Sequence, residues 1–385
     1  MKIAMVVPDN RDEFHRWDQA EPEFGPAPSA LLEGLASRSD CEVHVVSCTH
    51  RPMRAPAKLA PNVSFRLVEV GSWGWMRGGY IGCVTAVRRV LRAIRPDIVH
   101  GQGTERYCAL AAGWSGFPNL VTVHGNMRAI ARVHRARPLS FQWLTARLES
   151  IALRRTHGVV CLTRHTEHQV ARLARRMWCV PNAVDRSFFD VVPSPRERPL
   201  VLCVATISHL KNSARLLGAL DPLAAEHAFE LVCLGFAPGR DPYVKEFFRL
   251  LQARPWARHA GYATRPQLQA FLREASVLVL PSIEDNCPMA VLEAMAAGVP
   301  VAASTAGGIP ELVEPEVTGL LFDPLDERAM AGAVRRLIVD RAMARQLALT
   351  ARERARRLFS PDLVAARHME IYREAMDATR VRPGA

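Results

Sequence analysis

From Val277 to Ala303 the chain reads apolar run, polar loop, helix and apolar run, a pattern that confines this stretch to a parallel strand–helix–strand unit. The first run, Val277–Leu280, leads into Pro281-Ser282-Ile283-Glu284-Asp285-Asn286-Cys287-Pro288. A helix follows through Ala290–Ala297, with Pro288 near its first turn and Gly298 at its end. The second run, Val299–Ala303, opens onto Gly307-Gly308-Ile309-Pro310-Glu311. Parallel sheets bind ligands outside the carboxyl ends of their strands. A helix start at that edge offers free N–H groups and partial positive charge, which suit phosphate.

The same alternation runs through the whole chain and predicts an α/β protein. Strands are expected at Ile3–Val7, Glu42–Ser47, Ser64–Val70, Asp97–His100, Leu120–His124 and Gly158–Leu162. A second series is expected at Leu200–Ala205, Glu230–Leu234, Val277–Leu280, Val299–Ala303 and Leu320–Phe322. Between them lies Pro193-Ser194-Pro195-Arg196-Glu197-Arg198-Pro199, which has linker composition. The segment Ile81–Ile94 reads as an amphipathic helix with Ile81, Val84, Val87, Leu91 and Ile94 on one face. A helix Ser29–Leu35 follows the first strand, and Ser360-Pro361 caps a last helix, Asp362–Ala378.

At 385 residues, two domains are expected. No stretch approaches the roughly 18 apolar residues of a membrane span. The start, Met1–Pro8, reads as a buried strand rather than a signal peptide. Nine cysteines at irregular spacing, with no Cys-x-x-Cys pair, predict reduced thiols in the cytoplasm and no metal knuckle.

Over nearly its whole length, and most specifically over Pro281–Glu311, the chain resembles the family 4 glycosyltransferases of the GT-B fold. The resemblance implies two Rossmann-like domains facing across a cleft. Residues 1–183 would form the acceptor-side domain and residues 184–361 the nucleotide-sugar-binding domain. The closing helix, residues 362–380, would return to the first. The implied reaction is retaining transfer of a sugar from a nucleoside diphosphate, UDP or GDP, to a hydroxyl of a glycan or lipid-linked acceptor. It implies a place in cell-surface polysaccharide or glycolipid synthesis, with no protein nucleophile, no cofactor and no essential metal; the sequence has no Asp-x-Asp pattern there.

The family's paired acids are separated by seven residues, which places them on Asp285 and Glu293. An aspartate in the first position is a departure. The resemblance puts Glu293 on the ribose diol, where a carboxylate can accept two hydrogen bonds. Asp285, Asn286 and Pro288 would lie along the sugar, and the N–H groups near Met289 and Ala290 would meet the diphosphate. A glutamate within an otherwise apolar helix is costly unless it is paired. Lys211 matches the family's phosphate lysine, whereas Thr206 stands where an arginine is usual. His124, at the end of a strand, is similar to the family's cleft histidine. His100 reads as its support or as core. Gly307 and Gly308 would face the base or phosphate. Gly25 alone represents the expected Gly-Gly loop after the first strand. The pairs Gly101-x-Gly103 and Gly78-Gly79 are too weak to imply a nicotinamide cofactor.

Thr206 and the absent Gly-Gly pair leave a second reading open, a non-catalytic sugar-nucleotide-binding subunit; a third is another GT-B enzyme, such as a sugar-nucleotide epimerase. The net charge of +12 reflects either an arginine-rich composition or attraction to anions. No nucleic-acid motif accompanies it, so nucleic acid is not an expected partner. Residues 127–155 combine seven arginines with Phe141, Trp143 and Leu144. This segment reads either as a face for peripheral contact with the inner side of an anionic membrane or as an ordinary helix with a solvated basic side.

Overall fold

In the computed structural model, which describes residues 1–380, the chain divides into two compact units. One comprises residues 1–183 and 361–380, the other residues 184–360. Each is built on one sheet.

The first unit holds β1 (Lys2–Val6), β2 (Glu42–Thr49), β3 (Lys58–Ala60), β4 (Val63–Glu69), β5 (Ile98–Gln102), β6 (Asn119–Val123), β7 (Gly158–Cys161) and β8 (Met177–Cys179). Their order is β3-β4-β2-β1-β5-β6-β7-β8, parallel except for the β3–β4 pair. The second unit holds β9 (Leu200–Val204), β10 (Glu230–Leu234), β11 (Ala257–Gly261), β12 (Val277–Leu280), β13 (Val301–Ser304) and β14 (Leu320–Phe322). All are parallel, in the order β11-β10-β9-β12-β13-β14.

Helices cover both faces of each sheet, so central strands such as β5, β6 and β12 are buried at every position. Continuous apolar runs are the sequence counterpart of that burial. The edge strand β11, Ala-Arg-His-Ala-Gly, alternates between half-buried and exposed positions and was not expected. Nor were the three-residue strands β3 and β8. The expected run Val299–Ala303 becomes a strand only from Val301.

Two helices differ from expectation. The helix after β1 begins at Pro26 rather than Ser29, with Gly25 in the N-cap position. In the helix Ile81–Ile94, Cys83, Val87, Leu91 and Ile94 are buried, but Ile81 is 70% exposed. At 100° per residue Ile81 lies nearly opposite Cys83, so the two cannot share a face.

The closing helix Pro361–Arg380 belongs to the first unit. Its Val364, Ala365, Met369 and Tyr372 pack with Leu31, Leu32 and Leu35 of the helix Pro26–Ala36. At Gly34 the two backbones are nearly in contact: a Cβ there would come 2.1 Å from the Pro361 carbonyl oxygen. All nine cysteines are free thiols, and eight are buried. No helix among the described residues is long and apolar enough to cross a membrane. Gly34→Val should force these helices apart and cost about 3 kcal/mol, the upper end of overpacking penalties. Urea denaturation of the variant beside the parent chain measures it.

Candidate functional site

In the second unit the strand order reverses at β9. The next strand, β10, lies on one side, and β12 lies on the other. Such a switch leaves a crevice at the carboxyl edge between the two strands. Lys211 follows β9, and Asp285 follows β12.

The loops at this edge are tied together. Ile283 N–H donates to the Leu210 carbonyl at 2.8 Å, joining the loops after β12 and β9. Gly308 N–H donates to the Asp285 carbonyl at 2.8 Å, joining the loops after β13 and β12. Ser304 Oγ donates to the Ser282 carbonyl at 2.7 Å. Gly307 has φ +62°, and a Cβ there would lie 1.9 Å from the Asp285 carbonyl oxygen. Only glycine lets the backbones approach so closely.

Lys211 sits in a 3₁₀ turn, His209–Lys211, and its ammonium pairs with Asp285 Oδ2. The same oxygen accepts a hydrogen bond from Ser282 Oγ at 3.1 Å. Both ends of the ion pair keep some solvent access, 24% and 12% of their side-chain surface. A phosphate reaching the edge would therefore meet an ammonium already positioned by a carboxylate. Thr206 is exposed in the β9 loop, as is His209. Asn286 is buried, and Pro288 precedes the helix Met289–Ala297 without giving it a side-chain cap. Met289 and Ala290, half-buried, form its first turn.

Glu293 is the fifth of this helix's nine residues, not an early one, and only 6% of its surface is exposed. No donor among the described residues hydrogen-bonds its carboxylate. Burial pushes its pKa up to about 7; the charge of Arg265 opposes this and that of Asp185 adds to it. Those two residues pair with each other at 2.5 Å. Neither stood out in the sequence, since they lie in separate segments that only the fold brings to Glu293.

The first unit carries the other expected residues. His124 follows β6, and its Nε2 is 2.8 Å from Gln102 Oε1. Burial, and then the charge of His368, push its pKa down to about 4, so the ring is neutral near pH 7. Gln102 also approaches His100, which is fully buried, with its ring nitrogens 2.8 Å from Tyr372 Oη and Thr122 Oγ1. The adjacent Gly125 N–H donates to Glu105 Oε1 at 2.6 Å, fixing the backbone beside His124. Gln102 and Glu105 were not anticipated. Gly25 is half-buried at the N-cap of its helix.

Comparison with known proteins places the chain. Residues 29–188 match the sequence model described as Glycosyltransferase Family 4, and residues 198–340 match Glycosyl transferases group 1. A D-inositol 3-phosphate glycosyltransferase of Xylanimonas cellulosilytica is 30% identical over 315 residues, covering 74% of this chain and 73% of that protein. The chain belongs to glycosyltransferase family 4. Two other curated relatives are matched over about half their length, 46% and 57%. Among solved structures, the sucrose-phosphate synthase of Thermosynechococcus elongatus aligns with a TM-score of 0.80 at 22% identity, covering 98% of this chain and 100% of that one. The Anabaena protein HepE, in complex with UDP and glucose, aligns with a TM-score of 0.73 at 16% identity, covering 97% and 100%. These likenesses identify the fold of this family 4 chain as GT-B.

Glu293 makes stability depend on pH. Its folded pKa of about 7 lies above the ordinary carboxylate value. Between the two, the native state binds more protons than the unfolded state, so stability falls as pH rises and stays reduced above pH 7. Glu293→Gln should remove this slope and stabilise the empty protein by about 3 kcal/mol near pH 8, with little change near pH 4. Urea denaturation at the two pH values checks it.

Proposed function

We propose that the chain is a retaining glycosyltransferase that moves a sugar from a nucleoside-diphosphate sugar, UDP- or GDP-linked, to a hydroxyl of a glycan or lipid-linked acceptor. The observation that carries this reading is Glu293, a buried carboxylate with no hydrogen-bond donor among the described residues, in a unit whose loops gather at a switch point. A vicinal diol supplies two donors to such a group and stabilises its ionised form. Lys211 and the first-turn N–H groups of Met289 and Ala290 would take the diphosphate and stabilise the charge that develops as it leaves. Asp285 releases Lys211 to the phosphate and turns to the sugar with Asn286 and Pro288. Gly307 and Gly308 keep the neighbouring backbone close. Thr206 offers one hydroxyl donor where a guanidinium would offer a fork.

In the first unit, neutral His124 would contact the donor sugar, with Gly25 beside the acceptor path. No protein nucleophile is assigned; the departing phosphate accepts the acceptor's proton on the face it leaves. The reaction needs neither a cofactor nor an essential metal. The similar proteins, one a D-inositol 3-phosphate glycosyltransferase and one in complex with UDP and glucose, support a nucleotide donor and a polar acceptor. A cytoplasmic place in cell-surface polysaccharide or glycolipid synthesis, with peripheral membrane contact, follows from a lipid-linked acceptor.

Thermal-shift screening against UDP-, GDP- and ADP-sugars tests the donor, since a ligand that binds only the folded chain raises its melting temperature. One of these sugars should give a clear shift. Lys211→Ala should retain part of the shift and lose at least a hundredfold in transfer rate, about the effect of removing one preorganised charge partner. Glu293→Gln should abolish the shift. Turnover unchanged in Lys211→Ala removes its role. Donor binding without hydrolysis or transfer to any acceptor would make the chain a binding subunit instead.

A further inference from the structure

Ile81, exposed at the start of its helix, opens onto a surface. Ile81, Val84, Arg88 and Arg92 follow one another along the outward face of the helix Ile81–Ile94. With Arg89 they line an open groove of about 610 Å³, whose other wall is Leu148 and Ile151 of the helix Phe141–Arg155. Ile151, 47% exposed, also lines a second groove of about 420 Å³ with Arg128, Arg132, Arg147 and Arg154. The two grooves therefore meet at one side chain. Trp73, 80% exposed, stands in the first of the two short turns, Ser72–Gly74 and Met76–Gly78, that lead to Ile81.

The charge on this face has one sign. Neither groove is lined by an acidic residue. Segment 127–155 contains a single acid, Glu149, which is fully buried. Its carboxylate accepts hydrogen bonds from Thr104 Oγ1, Met127 N–H and Arg128 N–H. Among the described residues, none of the seven groove arginines takes part in an ion pair, whereas Arg38, Arg196, Arg254, Arg258 and Arg336 each pair with a carboxylate. Arg147 instead lies over the Trp143 ring, 4.8 Å from its centroid. Seven guanidiniums held together without counter-ions repel one another, which is tolerable in water and favourable against a negative surface.

We propose that this face of the first unit docks on an anionic lipid bilayer. The arginines would meet the headgroups, while Ile81, Ile151 and Trp73 enter the acyl boundary. A basic face with large apolar side chains has both attractions a bilayer offers. A polyanion in water would use the arginines but leave two isoleucines and a tryptophan exposed. This deepens the peripheral-contact part of the proposed function and does not depend on the donor site.

The test is flotation of the full chain with vesicles of phosphatidylcholine alone, or with phosphatidylglycerol added. Binding should require phosphatidylglycerol and weaken as salt is raised. The triple variant R88Q/R89Q/R92Q should bind about a hundredfold more weakly, at about 1 kcal/mol per basic side chain. I81S/I151S should lose about tenfold on the same vesicles, while binding to a single-stranded oligonucleotide probe stays unchanged. All these side chains are exposed, so melting temperature and the donor-induced thermal shift should match the parent. Failure of the docking reading is thereby separated from failure of the donor reading. No flotation of the parent chain overturns the proposal. So does flotation indifferent to phosphatidylglycerol, or I81S/I151S binding vesicles as the parent does, which would mark a polyanion site.

Discussion

A parallel strand cannot turn straight back on its neighbour; each must be followed by a crossover, and every crossover leaves from the same edge. That constraint gathers, in the second unit, three loops that are far apart in sequence. Once gathered, they are stitched by backbone hydrogen bonds through Leu210, Ile283, Asp285 and Gly308. The ion pair of Lys211 with Asp285 is a product of that stitching, because its partners come from loops on either side of the switch point. The chemistry at this edge rests on connectivity first and on side chains second.

Glu293 shows what the stitching leaves undone. A core position in a helix of Ala, Val, Leu and Met would be more stable with an apolar residue. The carboxylate is instead buried with no donor among the described residues, its pKa raised, with the paired charges of Asp185 and Arg265 nearby. Natural chains keep such destabilising groups where a ligand completes them. The neutral histidine pair in the first unit differs in kind. His100 is fully bonded inside the fold, and His124 is held from behind by Gln102. Those bonds fix ring positions rather than leaving a group unsatisfied.

Much of this was legible in the sequence, for identifiable reasons. Buried parallel strands are continuous apolar runs, so β9, β10, β12 and β14 stood out. The edge strand β11 carries Arg258 and His259 and has no such run. Glu293 and Lys211 were singled out through the family resemblance, whose motifs each lie within one loop–helix unit and so can be matched locally. Asp185 and Arg265 were invisible because their pairing exists only after folding. The helix Ile81–Ile94 was found, but Ile81 was placed on the wrong side. An apolar side chain is not by itself a buried one; two residues on, Cys83 points the other way.

The exposure of Ile81 bears on the net charge of +12. If the surplus were spread evenly by an arginine-rich composition, basic and acidic side chains would be interleaved, as they are where Arg196, Arg254 and Arg336 pair with neighbouring carboxylates. In the first unit the helix Ile81–Ile94 contains no acid, and the one acid of residues 127–155 is turned inward to hold a helix start. Composition sets how many arginines a chain has; it does not set where carboxylates are withheld. Exposed isoleucines among unpaired guanidiniums are costly to solubility and add nothing to the core. A surface both apolar and negative would satisfy both kinds of side chain at once.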